Sequence, residues 1–232
     1  MTFDEIFEAY YNLYRLEADT PASTDDEYTI AKRLANEAVR RWENYDGTYW
    51  NELYATLTDA EDGDKTIATA TTSYVAPTDF KQAGGFVKVL SSTGTTQQTY
   101  PIIEPNEVQF KDDNATYCYF LGSPKEGYTL HLNPTPSTAL VGLTIDYIYY
   151  KQATLFINAS DVAEMTQPYF IVNRMLANRF RGSRNPYYGS AKTDAEDALR
   201  TMQLQNNAGT WANPWEIKDN SGAVFGASNL SP

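Results

Sequence analysis

The stretch YTLHLNPTPSTALVGLTIDYIYY, residues 128–150, decides how this chain reads. At its end Leu143, Ile145, Tyr147 and Tyr149 alternate with Thr144, Asp146 and Ile148, the period that turns one face of a strand into a core. At its start Leu130 and Leu132 share a phase and His131 takes the other, which makes His131 a surface strand residue. Asn133-Pro134-Thr135-Pro136 turns the chain between the two runs. Upstream the same character persists: Thr, Tyr and Val are frequent, and Gly and Pro punctuate at short intervals. Strands are expected over residues 65–75, 85–91, 98–103, 116–121, 128–132 and 140–149. Short strands at this spacing predict a small antiparallel sandwich or barrel.

On both sides of this region the period becomes helical. Residues 2–18 carry Phe3, Phe7, Tyr10, Tyr11 and Tyr14 at steps of three and four, behind a Thr2/Glu5 capping box. A second helix is expected from Thr24 to about Tyr45. Thr24 and Glu27 form its capping box, and Asp25 and Asp26 complement its dipole. Ile30, Leu34, Ala38, Trp42 and Tyr45 share its apolar face, Asp46-Gly47 stops it, and Tyr49, Trp50, Leu53 and Leu57 suggest a short third helix. Downstream, Pro168 opens a helix with Tyr169, Val172, Met175, Leu176 and Phe180 inward. Another runs from about Tyr188 to Asn206 with Ala191, Ala195, Ala198, Leu199 and Met202 inward. Helix pairs this short cannot bury their stripes alone. The expected fold is therefore α+β: a four-helix bundle with an inserted antiparallel β-sandwich or barrel-like module and an extended C-terminal tail. Residues 1–65 and 156–206 supply the bundle, 66–155 the insert, and 207–232 the tail. That tail has no period yet carries Trp211, Trp215, Phe225 and Leu230, aromatic and apolar groups that need a partner surface.

Composition excludes several functions. Among 232 residues there are 18 Lys and Arg against 30 Asp and Glu, a formal net charge of −12. That is the wrong sign for gripping nucleic acid, which relies on displacing counterions with cations. Residues 1–65 hold 16 of the acids and 6 of the bases, whereas residues 151–205 hold 5 acids and 7 bases, so distinct charged faces are expected. One Cys rules out an internal disulfide framework, and one Cys with one His rules out an ordinary zinc site. No run approaches the roughly 20 apolar residues of a spanning helix. Acids stand where a signal peptide needs bases, so folding in the cytoplasm is expected.

Groups that could do chemistry read as structural. Cys118 sits between Tyr117 and Tyr119 in a strand, with no basic cluster to activate it. The run Asp59-Ala60-Glu61-Asp62-Gly63-Asp64 lacks the glycine position and the closing Glu of a calcium loop. Gly84-Gly85 precedes a strand rather than a helix, so it is no phosphate loop. A hydrolase using Glu104, Glu107 or Asp146 is the least favoured reading; no enzyme activity, cofactor or metal is expected. Arg174, Arg179, Arg181 and Arg184 form the one basic cluster. It is expected to face phosphate or, more readily, the acids of a neighbouring subunit, with Asp25, Asp26 and Glu37 among the opposing charges.

The order of these elements resembles a known family. Ala31-Lys32-Arg33-Leu34-Ala35-Asn36-Glu37-Ala38 is followed by Trp42 and Trp50, then by Tyr74-Val75-Ala76-Pro77-Thr78-Asp79-Phe80 at the start of the β region. Leu130-His131-Leu132-Asn133-Pro134-Thr135-Pro136 precedes Leu143-Thr144-Ile145-Asp146-Tyr147-Ile148-Tyr149-Tyr150, and Asp194-Ala195-Glu196-Asp197-Ala198-Leu199-Arg200 lies in the closing helix. In this order the chain resembles the head–tail connector (adaptor) proteins of tailed bacteriophages, similar to the tail accessory factor and tail tubular protein A of short-tailed phages. The resemblance implies a virion protein of the neck or tail, made in the bacterial host cytoplasm. It implies a dodecameric ring beneath the portal protein, with a downstream nozzle, stopper or tube protein below it. Double-stranded DNA passes through without sequence-specific binding, no membrane is involved, and the C-terminal segment with Trp211, Trp215, Phe225 and Leu230 inserts against the portal. The alternative reading is a carbohydrate-binding or adhesin module of the tail, suggested by the Tyr-rich β region.

Overall fold

A computed structural model describes residues 1–15, 21–181 and 185–208. Among them the chain is α+β. The helices are α1 (Phe3–Arg15), α2 (Asp26–Glu43), α3 (Tyr169–Phe180) and α4 (Tyr187–Ala208). Between α2 and α3 lie the strands β1 (Tyr54–Thr56), β2 (Ser73–Val75), β3 (Phe80–Ala83), β4 (Phe86–Leu90) and β5 (Thr96–Pro101). They continue with β6 (Tyr117–Ser123), β7 (Gly127–Asn133), β8 (Thr144–Asp146) and β9 (Ile148–Lys151). No helix among the described residues is long and apolar enough to cross a membrane.

The helices follow the sequence closely. In α1 the Thr2 amide donates to Glu5 Oε2 at 2.9 Å and the Glu5 amide donates to Thr2 Oγ1 at 3.3 Å, the reciprocal cap expected there. The cap expected at Thr24 does not form. The N-cap of α2 is Asp25, whose Oδ2 accepts from the Ala22 amide, while Glu27 accepts instead from Arg179 at 2.7 Å. A charged partner is a stronger competitor for a carboxylate than a neutral amide. Phe3, Ile6, Phe7 and Tyr10 of α1, Leu34, Ala38 and Trp42 of α2, Phe170, Ile171 and Met175 of α3, and Ala195, Leu199 and Met202 of α4 are buried in one core. α3 packs against all three other helices. Tyr169 is an exception to the expected apolar face; it stands 62% exposed at the start of α3.

The β region departs further from the sequence reading. The strands make three antiparallel three-stranded sheets, ordered β1-β9-β3, β2-β7-β6 and β5-β4-β8. No barrel closes among the described residues. The expected short third helix is only a 3-10 turn, Asn51–Leu53, that runs straight into β1. The strand expected over 65–75 shrinks to β2, because Ile67 and Lys65 meet the chain near β8 through isolated backbone bonds instead. The strand expected over 140–149 is two strands: β8 pairs with β4, and β9 pairs with β1 and β3. Alternation survives the break, since Ile145, Tyr147 and Tyr149 are buried and Ile148 is 51% exposed. Ile145, Tyr147 and Tyr149 belong to a second core with Val87, Val89, Tyr100, Cys118, Leu130 and Leu132.

The two cores meet at Tyr149 and Tyr150. Tyr149 faces the β core, where its hydroxyl donates to Asp79 Oδ1 at 2.9 Å and its ring stacks on Phe80. Tyr150, on the other face of β9, belongs to the helical core. Its hydroxyl accepts from the buried Trp50 amide at 3.1 Å, and Trp50 Nε1 donates to the Trp42 carbonyl at 2.7 Å with the two indoles stacked. The end of α2, the 3-10 turn and β9 are thereby fixed to one another. Replacing Tyr150 by Phe keeps the ring and removes the acceptor, leaving a buried amide unpaired. Unfolding free energy from equilibrium urea denaturation should fall by about 1–3 kcal/mol; an unchanged midpoint would show that this bond contributes nothing.

Candidate functional site

The basic cluster expected from sequence is divided by the fold. Arg179 projects from α3 toward α1 and α2. There its Nη2 donates to Glu27 Oε1 at 2.7 Å and to the Tyr14 hydroxyl at 3.2 Å, and its guanidinium lies over the Tyr14 ring. Its side chain is 26% exposed. Arg179 therefore meets an acid of its own chain rather than waiting for a neighbour's. Arg174 is half-buried on α3 and Arg181 is exposed just past its end, while Arg184 lies outside the described residues. Asp25 and Asp26 sit exposed at the start of α2. Glu37 is exposed on α2 with Arg33 at 4.0 Å. It borders a shallow groove of about 500 Å³ that also takes in Lys32, Asn36 and Arg40. Two of those side chains already have structural work: Lys32 Nζ donates to the Ile157 carbonyl, and Asn36 exchanges two hydrogen bonds with the Phe156 backbone. Trp211, Trp215, Phe225 and Leu230 lie outside the described residues.

The groups with chemical potential are dispersed. Cys118 is fully buried, and desolvation pushes its thiol well above the ordinary range, so it is a packing residue rather than a nucleophile. His131 stacks on Tyr119, ring centroids 5.0 Å apart and planes 11° apart, and its Nδ1 shares a 3.0 Å hydrogen bond with Ser73 Oγ. Glu104 stands at the N-cap of an exposed 3-10 turn, Pro105–Phe110, that contains Glu107, and Asp146 accepts from the Thr58 hydroxyl. The acids of the 59–64 run are drawn to separate partners. Asp59 takes the Thr56 hydroxyl, Asp62 the Thr78 amide and Asp64 the Val75 amide. Their work is to tie the loop to β1, β2 and the turn between β2 and β3. Among the described residues no three His, Cys, Asp or Glu side chains come close enough to share a metal ion.

One cleft was not legible in the sequence. A cleft of about 910 Å³ opens where α4 ends beside the loop after α2 and the exposed face of β1 and β9. Thr48, Tyr49, Glu52, Tyr54, Ile148 and Asn206 are among its walls. Gln203 and Asn206, three apart on α4, reach the opposite wall: Gln203 Nε2 donates to Thr48 Oγ1, Asn206 Nδ2 donates to the Tyr49 carbonyl, and Asn206 Oδ1 accepts from the Asn51 amide. Two amide side chains one turn apart near a helix end were the only trace of this in the sequence. Three acids, Asp46, Glu52 and Asp59, stand around the cleft against one base, Lys151, which is paired with Glu164 at 2.5 Å.

Two expectations follow. Replacing Arg179 by Ala strips the countercharge from Glu27, whose Oε2 is already buried without a hydrogen-bond partner among the described residues. Thermal or urea unfolding should register a loss of about 1–3 kcal/mol for this variant, and Arg181→Ala should be close to neutral. Equal effects would contradict the division of the cluster. Burial also holds the His131 pKa below its ordinary value. The unfolded chain then takes the proton first, so the small stability contribution is present above about pH 6.5 and lost as pH falls below it. An NMR titration of the ring should give a midpoint below that of free imidazole, and Tyr119→Ala should move it upward.

No protein-family model matches the sequence, and no curated protein matches it.

Proposed function

We propose that this chain is a structural virion protein, a head-to-tail adaptor that forms a ring beneath the portal of a tailed phage. On this reading the four helices are a bundle, the three sheets are its sandwich-like insert, and residues 207–232 are the segment that docks on the portal. The observation that carries the reading is the shared core: helices on either side of the β segment close on one another, so the segment is an insertion rather than a following domain. The order of motifs along the chain supports it. Asp79 and Phe80, which close one of those motifs, hold Tyr149 of another through a hydrogen bond and a ring stack.

The mechanism is docking rather than catalysis. Helical units pack side by side into a dodecameric ring, the aromatic tail binds the ring above, and a nozzle, stopper or tube protein binds below. The acidity of residues 1–65 suits a passage in which DNA slides without adhering, because cationic walls would hold its phosphates. Among the described residues, Arg174 and Arg181 are the members of the basic cluster left to meet a neighbour's acids.

Electron micrographs of the full chain mixed with its portal protein test this. A ring stacked on the portal is expected, and deleting residues 209–232 should abolish binding while the remaining chain still unfolds in one cooperative transition. No association of the full chain with the portal would overturn the reading. A glycan-binding module is the second reading, favoured by the stacked Tyr119–His131 pair on the outer face of the β2-β7-β6 sheet. Binding of a glycan by the isolated monomer, lost in Tyr119→Ala, would decide for it.

A further inference from the structure

The cleft at the foot of α4 has a geometry that names its occupant. We propose that it is the docking site of this chain's own C-terminal segment, and that the group it takes is the indole of Trp211.

The first argument is the tether. Gln203, Asn206 and Asn207, in the last turns of α4, form one wall of the cleft. Their hydrogen bonds to Thr48, Tyr49 and Asn51 pin that helix end, so the point at which the chain leaves α4 is fixed at the rim. Trp211 stands three residues beyond Ala208, a reach of about 10 Å at the ~3.3 Å per residue of extended chain. A cleft of about 910 Å³ has ample room for one indole and the backbone that carries it. The tether also makes occupancy intramolecular, which raises the effective concentration of the ligand far above that of any free competitor.

The second argument is chemistry. Tyr54, Ala55 and Ile148 give the cleft an apolar side, with Ile148 left 51% exposed on a strand whose buried neighbours are aromatic. The other side is rich in acceptors. Asp46, Glu52 and Asp59 line it. A wall carrying three carboxylates favours a ligand that brings a hydrogen-bond donor and no negative charge. An indole is a flat apolar body with a single N–H donor and no acceptor. Phe brings no donor, and an acidic side chain would meet three carboxylates. Trp211 is the first aromatic residue after α4 and supplies such a donor.

Docking in cis goes beyond the adaptor reading and does not depend on it. If both hold, the free subunit keeps its aromatic segment on its own surface, and portal binding requires that segment to be exchanged from one site to another.

Tryptophan fluorescence of the full-length chain tests the proposal. There are four tryptophans, and Trp42 and Trp50 are buried, so the emission lost in Trp211→Phe isolates the third. That difference spectrum should be blue-shifted and poorly quenched by acrylamide. Placing a charge on the exposed wall with Ile148→Arg, at a side chain already 51% exposed, should shift it red and raise its quenching severalfold. Glu52→Ala should do the same more weakly. The Trp215→Phe difference spectrum should not respond to either change. Quenching of Trp211 like that of free tryptophan in the parent chain would overturn the proposal. So would a shielded Trp211 indifferent to Ile148→Arg, or shielding that disappears on dilution, which would place the segment on another copy. None of these readouts involves the portal, so failure here and failure of the adaptor reading are separate results.

Discussion

The buried amide of Trp50 is the constraint on which the arrangement depends. It lies between a helix that has ended and a strand that has not begun, where no ladder can satisfy it, and a buried donor must find a partner. The partner is the hydroxyl of Tyr150, a hundred residues along the chain. Accepting that bond places β9 against the end of α2. Once Tyr150 points to the helices, the pleat of the strand points Tyr149 the other way. One strand thus carries the inner wall of each core on opposite faces, and its pairing with β1 and β3 completes the joint. The Trp42 carbonyl closes the circuit by taking the Trp50 indole proton.

The remaining polar side chains at the joint extend the same arrangement. Lys81 in β3 bonds Glu43 at 2.6 Å and Asn44 at 3.0 Å, tying the sheet to the terminus of α2. Lys151 in β9 meets Glu164 on the way to α3, and Glu164 also accepts from the Thr154 amide. Each is a pair across an element boundary. Exposed pairs of this kind add little stability, but these are largely shielded and each is backed by a further hydrogen bond, so they define orientation as well as adding to stability.

The sequence carried the helices well because their period is local. Phe3, Leu34, Met175 and Leu199 could be placed inward by counting residues, and all four are buried. The strands were harder for a physical reason. β1 and β3 have three and four residues, too few for alternation to show, and the run through Tyr147 keeps its alternation while changing sheets. Side-chain pairing was harder still. Glu27 followed the capping pattern with Thr24, but Arg179 lies 152 residues away and no local rule could weigh it against a neighbouring amide. The cleft was invisible for the same cause: one of its walls is α4, whose Gln203 and Asn206 reach residues 48–51 about 155 positions away.

The insertion has a consequence for synthesis. α3 is the helix that touches all the others, and it is encoded after the entire β segment. When the ribosome has made α1 and α2, Tyr28 can already meet Phe3 and Phe7, but the residues of α3 that complete their core, Phe170, Ile171 and Met175, do not yet exist. Local contacts form quickly and distant ones slowly, so the β segment has its whole core available first, while two aromatic-faced helices wait. A nascent chain in that state exposes the kind of surface that chaperones hold. Three capping and dipole acids in the opening turns, Glu5, Asp25 and Asp26, stand exposed in the folded chain, and charge of this kind opposes association of unfinished helices until the last quarter of the chain arrives.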